Sequence, residues 1–403
     1  MGEIYACGIY VLSYFSHRGV GYGICQRLLI NLCEDTAEDS LPQSLATPGD
    51  RIPCEFTASK GLTLIMACRS AERAVTAKEN LLKHLDEHIS KQKNNQSASI
   101  NRMLEFRRNL KVDLLSLDLA NTTKTFEFCE EVTHRYPYVS HAIFNAGYAP
   151  WIGINWPRAV LAVITDYMEA VTNGETFRTQ KVGITSKEGY GMTFQSNVLG
   201  HFILARHLRP LMVKSPWPAR VIWTSSLVSG HALDRIDWDD LQLLKTANSY
   251  GASKYQIQLI AHYLDMESAT SGTNKTPIRH LISHPGVTST SIFLDYLNFV
   301  TAFLMNLAFY VARLFGSQDH PISWINGAIA ATHLALVPSQ LLNRPEEPVL
   351  YGSRATRFGK PYVGRSEIYR YSENAENAQL LVGRCDALYN ELKRKRRGKS
   401  NGA

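Results

Sequence analysis

The chain has 403 residues, of which 45% are hydrophobic, and it carries 43 Lys and Arg against 36 Asp and Glu. This composition is that of a globular protein and excludes a disordered or collagen-like chain. Most of the formal charge of +7 comes from the basic run at residues 393–399. The rest is nearly neutral, which is not typical of a protein that wraps nucleic acid. The 7 cysteines have no C-x-x-C spacing, so we expect neither a disulfide framework nor a zinc or other metal site.

Short apolar runs recur along the chain, and each is followed by a helix-like segment. They lie at residues 9–12, 62–67, 110–117, 141–144, 220–223 and 280–283. Such runs predict buried parallel strands that alternate with helices. Although the length allows two or three domains, we predict an α/β fold with a doubly wound parallel sheet, built as a single enlarged Rossmann-like domain.

Three segments depart from this alternation and look inserted, at residues 34–60, 152–190 and 287–345. We expect a catalytic domain over residues 1–290 with inserts at 34–60 and 152–190, an extension of the same domain over 291–385, and a basic flexible tail over 386–403. The second insert contains one helix-like piece, at 159–171. The apolar stretch at 296–312 fits a buried core helix, an in-plane membrane helix or a partner-docking helix, and it is shorter than the roughly 20 residues that a spanning helix needs.

The strongest chemical motif is Tyr250 with Lys254 four positions later. On a helix these positions share one face, which places a phenol beside an ammonium group. A free tyrosine has a pKa near 10, and a neighbouring cation favours the phenolate and lowers that pKa. The spacing alone is common by chance, so its meaning depends on the residues around it.

Candidate ligand-binding residues follow several of the predicted strands, at the ends where α/β sheets bind ligands. They are Asn145 and Gly147 after residue 144, Ser225 and Ser226 after residue 223, and Val287 and Thr288 in the turn after residue 283. Asn197 lies inside an apolar helical run, where it costs helix propensity. A turn or a helix cap would explain the serine pair taken alone.

Together with Gly19, Gly21 and Asp118, this ordered set resembles the short-chain dehydrogenase/reductase family. Within that family the strings at 145–148, 197–202 and 223–226 resemble the fungal 3-keto-steroid reductases of sterol C-4 demethylation, which are related to 17β-hydroxysteroid dehydrogenase type 7. The resemblance implies four catalytic roles. Tyr250 would be the general acid, Lys254 would lower its pKa and hold the nicotinamide ribose, Ser226 or Ser225 would bind the carbonyl oxygen, and Asn197 would hold a water in a proton relay to Lys254.

The resemblance also implies an NADP(H) cofactor. Arg69 follows the second predicted strand, where an NAD-selective fold would place an acidic residue, and an arginine accommodates a 2′-phosphate. A solvated loop arginine is the alternative. By the same resemblance the remaining cofactor contacts would be the phosphate loop at Gly19 and Gly21, the adenine contact at Asp118, the cleft at Asn145 and Gly147, and the carboxamide contacts at Val287 and Thr288.

Two positions depart from the family pattern. Alignment of the family's phosphate loop on Gly19 and Gly21 puts Tyr14 and Phe15 where a threonine and the first glycine belong. Either residues 1–18 come from a wrongly assigned first exon, or the loop binds the cofactor weakly. In many relatives the catalytic serine stands at the position of Asp237 here, so we attribute the shift to an enlarged loop at 227–249 and keep Ser229 as a third candidate.

We therefore expect NADPH-dependent reduction of a 3-keto sterol to the 3-hydroxysterol in sterol biosynthesis, at the cytosolic face of the endoplasmic reticulum membrane or on lipid droplets. The apolar region around Phe293, Phe299, Phe303 and Phe309 suits a lipid substrate, and the basic tail suits an anionic membrane, unless that tail is only a solvated run of charge. Two alternatives stay open. One is a reductase of another hydrophobic carbonyl, such as a retinoid, and the other is a catalytically impaired partner in a membrane sterol-synthesis complex.

Overall fold

A computed structural model describes residues 7–12, 19–41, 59–92, 98–230, 236–270, 277–289 and 298–400. The strands in these ranges are β1 (Cys7–Leu12), β2 (Leu62–Cys68), β3 (Leu110–Ser116), β4 (His141–Phe144), β5 (Trp151–Ile154), β6 (Arg178–Gln180), β7 (Arg220–Thr224), β8 (Arg279–His284), β9 (Val349–Ala355) and β10 (Pro361–Glu367). Tyr14, Phe15 and Phe293 lie outside the described residues, as does most of the insert predicted at 34–60.

The main sheet has eight strands in the order β10-β9-β8-β7-β4-β1-β2-β3. All neighbours are parallel except β9 and β10, which pair antiparallel at one edge. The chain runs outward from β1 to β3 and then returns to β4 on the other side of β1. This reversal between β1 and β4 is the switch point at which doubly wound sheets bind ligands. The predicted fold class is confirmed, and each predicted strand is present.

Helices cover both faces of this sheet, and further helices lie in the inserted segments. They are α1 (Val20–Cys33), α2 (Ala71–Gln92), α3 (Ala98–Asn109), α4 (Thr122–Arg135), α5 (Trp156–Thr165), α6 (Tyr167–Thr172), α7 (Met192–Phe194), α8 (Gly200–Met212), α9 (Ser249–Thr270), α10 (Phe299–Leu314), α11 (Trp324–Gly327), α12 (Ile329–Leu336) and α13 (Tyr371–Ser400), with a π-helical turn, Gln195–Leu199, between α7 and α8.

The two faces form two apolar cores. One contains buried side chains of α4, α8, α9 and α13, and the other contains those of α1, α2, α3 and α12. Strands β4 and β7 are buried along their whole length, because helices cover both of their faces. This packing fixes the strand ends that carry the site.

Several predictions need correction. The insert at 152–190 holds two helices rather than one, because the Asp166 side chain accepts a hydrogen bond from the Glu169 backbone N–H at 3.0 Å and starts α6 there. It also contributes β5 and β6, which pair as a separate two-stranded sheet. Strands β9 and β10 add to the main sheet and lie within the region predicted as an extension.

The apolar stretch and the tail also differ from expectation. Helix α10 buries only Phe309 and Ala312, so its interpretation as a buried core helix is wrong. None of the helices in the described ranges is long and apolar enough to cross a membrane. Residues 386–400, predicted as a flexible tail, continue α13, and Arg396 in this segment pairs with Glu130 of α4 at 2.7 Å.

Candidate active site

The predicted catalytic residues meet where β4 and β7 end and α9 begins. Tyr250 lies in the first turn of α9, half-buried, and its backbone N–H donates to the Gln180 side-chain oxygen at 3.0 Å. Asn248 caps the same turn by accepting from the Gly251 backbone N–H at 3.1 Å. The first turn of α9 is therefore held by side chains on both sides of Tyr250.

The structure distinguishes the candidate serines. Ser226 is the candidate serine that acts on the phenol, because its side chain lowers the pKa of Tyr250 as a hydrogen-bond donor would. Ser225 Oγ instead donates to the Lys254 carbonyl at 3.0 Å, and Ser229 Oγ donates to the Ser226 carbonyl at 2.8 Å. Asp237 lies in a turn, where its carboxylate accepts from the Asp239 backbone N–H at 2.9 Å. Ser226 is thus the hydroxyl that the strand end presents to the phenol.

Burial raises the pKa of Tyr250 to about 12, and the hydrogen bond from Ser226 opposes that rise. The sequence predicted a lowered pKa because of Lys254. The net direction is the opposite, since loss of hydration outweighs the nearby charges. A phenol with this pKa stays protonated at neutral pH and can act as a proton donor.

Lys254 lies one helical turn after Tyr250, as the spacing predicted. Its ammonium nitrogen is 5.7 Å from the centre of the Tyr250 ring and donates to the Thr224 carbonyl oxygen at 2.9 Å. The side chain is buried, which lowers its pKa to about 8. A side chain at Gly147 would meet this nitrogen, since a Cβ there would lie 3.4 Å from it. The lysine therefore ties β7 to α9 and faces the segment that follows β4.

Asn197 lies in the π-helical turn, and its side chain is fully buried. Its Oδ1 accepts from the Tyr148 backbone N–H at 2.6 Å, and its Nδ2 donates to the Tyr148 carbonyl and to Ser253 Oγ, both at 2.9 Å. Inserted π-helical turns occur frequently at functional sites. These bonds explain an asparagine in an apolar run, because it fixes the segment after β4 against α9. Its role in holding a water stays a prediction.

Sequence reasoning missed the contribution of β5 and β6. The Trp151 ring lies 5.3 Å from the Tyr250 ring, and the Arg178 guanidinium lies 5.4 Å from the Trp151 ring. The Arg178 charge also opposes the rise of the Tyr250 pKa. Gln180, two residues later, holds the start of α9. These strands have only four and three residues, so their pattern gave no usable signal.

An apolar cavity of about 200 Å³ opens beside Trp151. Its walls come from the α5–α6 insert and from α10, with Val163, Leu304 and Phe309 among them. Trp151 therefore lies between this cavity, which it lines, and the Tyr250 ring. The site thus combines a hydroxyl pair with an apolar chamber large enough for part of a hydrophobic molecule.

The predicted cofactor residues lie along the carboxyl edge of the sheet. Gly19 caps α1, Arg69 follows β2 and is exposed, and Asp118 follows β3 and accepts from the Ala120 backbone N–H at 3.1 Å. On the other side of the switch point, the residues that follow strands are Asn145 and Gly147 after β4 and Val287 and Thr288 after β8. Gly21 is buried inside α1 rather than in a loop.

Curated proteins share sequence with this chain, although no family model matches it. A 3-keto-steroid reductase of Eremothecium gossypii is 33% identical over 258 residues, covering 64% of this chain and 70% of that protein. The 3-keto-steroid reductase of Schizosaccharomyces pombe is 27% identical over 388 residues, covering 96% of this chain and 98% of that protein.

Solved structures support the fold. An uncharacterized protein from Mycobacterium paratuberculosis superposes with a TM-score of 0.52 at 16% identity, covering 94% of this chain and 92% of that one. The sequence relatives confirm the resemblance that the ordered motifs indicated. The chain belongs to the 3-keto-steroid reductase family.

Proposed function

We propose that this protein is an NADPH-dependent reductase that converts a 3-keto sterol to the 3-hydroxysterol in sterol biosynthesis. The observation that carries the proposal is the position of Tyr250: Ser226 acts on its phenol, and its ring lies 5.3 Å from Trp151, which lines an apolar cavity. The names of the curated relatives support the same substrate class.

The residues present fit a nicotinamide dinucleotide phosphate. Arg69 is a cation at the end of β2 suited to a 2′-phosphate, and Lys254 directs its ammonium group at the segment around Gly147. Asn145 and Asp118 provide polar groups on either side of the switch point, and Val287 and Thr288 follow β8. When bound, the reduced nicotinamide supplies the hydride.

The side chains of the site would handle the oxygen of the ketone. Reduction builds negative charge on that oxygen, and the hydroxyl groups of Tyr250 and Ser226 are placed to donate hydrogen bonds to it. Tyr250 then gives up its proton, and its pKa of about 12 keeps that proton available at neutral pH. The Lys254 charge stabilises the phenolate that remains.

The apolar cavity favours a hydrophobic ketone over a small polar one. Its wall carries Trp156, Val163, Leu304 and Phe309, and Arg178 is its charged member. Such a lining also suits other hydrophobic carbonyls, including retinoids, so substrate identity needs a direct comparison.

We also propose that the protein works at the cytosolic face of the endoplasmic reticulum membrane or on lipid droplets, where it could join other sterol-synthesis enzymes. Large apolar side chains exposed on α5 and α10 support a membrane surface. Fractionation of cells that express the tagged chain should recover it with membranes or droplets. Recovery in the soluble fraction alone would contradict this location.

Substrate profiling tests the activity. Purified protein with NADPH and a 3-keto sterol in detergent micelles should form the 3-hydroxysterol, and retinal and small aldehydes should give a lower kcat/KM. Turnover of aldehydes without sterol turnover would overturn the sterol assignment. An NADPH-induced rise in thermal midpoint is also expected, and its absence at saturating NADPH would favour the catalytically impaired partner.

A further inference from the structure

Helices α5 and α10 each carry two apolar faces. Ala159 and Val163 of α5 and Leu304 and Ala308 of α10 line the apolar cavity. The second faces point away from it and are exposed. On α5 this outer face contains Val160 and Ile164, and on α10 it contains Phe299, Val300, Phe303, Leu307, Tyr310 and Leu314. The exposed fractions reach 76% at Ile164 and 59% at Phe303.

The outer face continues beyond the end of α10. Phe315 follows the helix, and Phe358 in the neighbouring loop is 94% exposed. That loop packs against α10, because a Cβ at Gly359 would lie 3.2 Å from the Arg313 guanidinium. The name outer apolar surface is used below for all of these exposed residues. They are Val160 and Ile164 of α5, the six exposed α10 residues given above, Phe315 and Phe358.

Cations predominate on the elements that form this surface, although the exposed Asp166 follows directly after α5. Helices α5 and α10 contain no acidic residue and carry the cations Arg158 and Arg313, and the loop adds Arg357 and Lys360 on either side of Phe358. Apolar side chains flanked by cations suit an interface with anionic lipid headgroups. A second copy packed face to face across a two-fold axis would bring these cations together and is therefore disfavoured.

We propose that the outer apolar surface docks on an anionic lipid bilayer, with α10 lying in the plane of the interface. The cavity between α5 and α10 then faces the lipid, so a hydrophobic substrate passes into it without crossing water. The entry route rests on the proposed function, whereas the docking rests on the surface itself. Docking in the plane agrees with α10 being too short to span a membrane.

Vesicle flotation of the full chain tests the docking. The probes are vesicles of phosphatidylcholine alone and vesicles that also contain phosphatidylserine. The variants are Val160→Ser with Ile164→Ser on α5, and Phe303→Ser with Leu307→Ser on α10. None of these residues lines the cavity. Leu380→Ser is the matched control, because Leu380 is 58% exposed on α13, outside this surface.

Wild type and the Leu380→Ser control should bind the anionic vesicles, and binding should weaken without phosphatidylserine or at high salt. Each double variant should lower the partition coefficient about tenfold or more, since two large apolar side chains are lost from the contact. A cooperative thermal unfolding transition in the same samples shows that the variants are folded. If both folded double variants bind the vesicles as strongly as wild type does, the proposal is wrong.

Two further results separate the hypotheses. Vesicle binding without sterol turnover would uphold the docking and overturn the proposed function. Sterol turnover in detergent without vesicle binding would uphold the function and overturn the docking. If wild type forms a dimer in gel filtration that the double variants abolish, the surface is a contact between copies and the lipid proposal is wrong.

Discussion

The three hydroxyl groups near the start of α9 have different partners, and this divides their roles. Ser226 reaches the Tyr250 phenol, whereas Ser225 is held between the Lys254 carbonyl and the Gln258 side chain, which donates to it at 2.9 Å. Ser225 is buried, whereas Ser226 is only partly buried. These contacts predict that Ser226 takes part in the chemistry and that Ser225 supports the packing of β7 on α9.

Replacing each serine by alanine should separate these roles. Ser226→Ala should lower kcat for the 3-keto sterol by about 10²- to 10³-fold, because one donor to the developing oxyanion is lost. Ser225→Ala should instead lower the free energy of unfolding by about 1–3 kcal/mol, because buried partners lose a hydrogen bond. Steady-state kinetics and urea unfolding of both variants measure this. A larger loss of kcat in Ser225→Ala would refute our assignment.

Lys254 gives a pH-dependent contribution to stability. Its pKa is lowered to about 8 in the folded protein from an ordinary 10.5. Between these values the unfolded chain binds more protons, so the free energy of unfolding rises with pH. The cost of burying the charged lysine is fully present below about pH 8 and is relieved as the pH rises toward 10.5.

Urea unfolding of wild type and Lys254→Met at two pH values tests this sign. Relative to the variant, wild type should gain about 2 kcal/mol between about pH 7 and pH 9.5. Other titrating groups are shared by the two proteins and cancel in the difference. If the difference in the free energy of unfolding between wild type and the variant stays constant, or falls as the pH rises, burial does not lower the pKa of Lys254.

The sequence predicted the relative position of Tyr250 and Lys254 correctly, because residues four positions apart on a helix share one face. It did not predict the direction of the Tyr250 pKa, which depends on burial by Trp151 and its neighbours. Arg178 and Gln180 were missed since they reach Tyr250 through contacts between distant parts of the chain.

Among the elements, α13 has the clearest structural role. It packs on α8 and α9 through buried residues that include Leu381, Val382 and Tyr389. Arg206 of α8 bridges Glu267 of α9 and Asp386 of α13, at 2.5 Å and 2.7 Å. Helix α13 thus covers the outer side of α8, which follows the turn that contains Asn197, and of α9, which contains Tyr250.

Truncations should show which part of α13 the fold requires. Ending the chain after Arg370 exposes several apolar side chains worth about 1.5–3 kcal/mol each, and no cooperative unfolding is expected. Ending it after Leu392 removes the basic segment and the Arg396–Glu130 pair. That loss should cost no more than about 1 kcal/mol, as for other exposed ion pairs. Thermal unfolding of both proteins measures this. Cooperative unfolding of the protein that ends after Arg370 would disprove the role of α13.

The sequence predicted the elements of the sheet more reliably than the inserts. Continuous apolar runs marked β2, β4, β7 and β8 because parallel strands are buried on both faces. Helix α10 was equally apolar, but its outer face is exposed, and composition alone cannot distinguish a face that packs on protein from one that does not. The tail was predicted to be mobile because it is highly charged, whereas it continues α13 and pairs Arg396 with Glu130.

For the molecule as a whole, the fold brings together strand ends that are far apart in the chain. The edge of the sheet holds Arg69, Asp118 and Asn145 around the switch point, and the tyrosine site lies beside it at β7 and α9. The α5–α6 insert and α10 enclose an apolar chamber that Trp151, a neighbour of the Tyr250 ring, also lines. Cofactor edge, proton donor and apolar chamber together are what reduction of a hydrophobic ketone requires.

Transfer of deuterium from labelled cofactor tests this account most directly. Purified protein is incubated with a 3-keto sterol and NADPH that carries deuterium at both C4 positions, and the product is analysed by mass spectrometry. We expect a 3-hydroxysterol with a single deuterium on the former carbonyl carbon, formed at least 10²-fold more slowly by Tyr250→Phe, because the proton donor is missing. No labelled sterol, or equal rates for wild type and Tyr250→Phe, would contradict the assignment of this site.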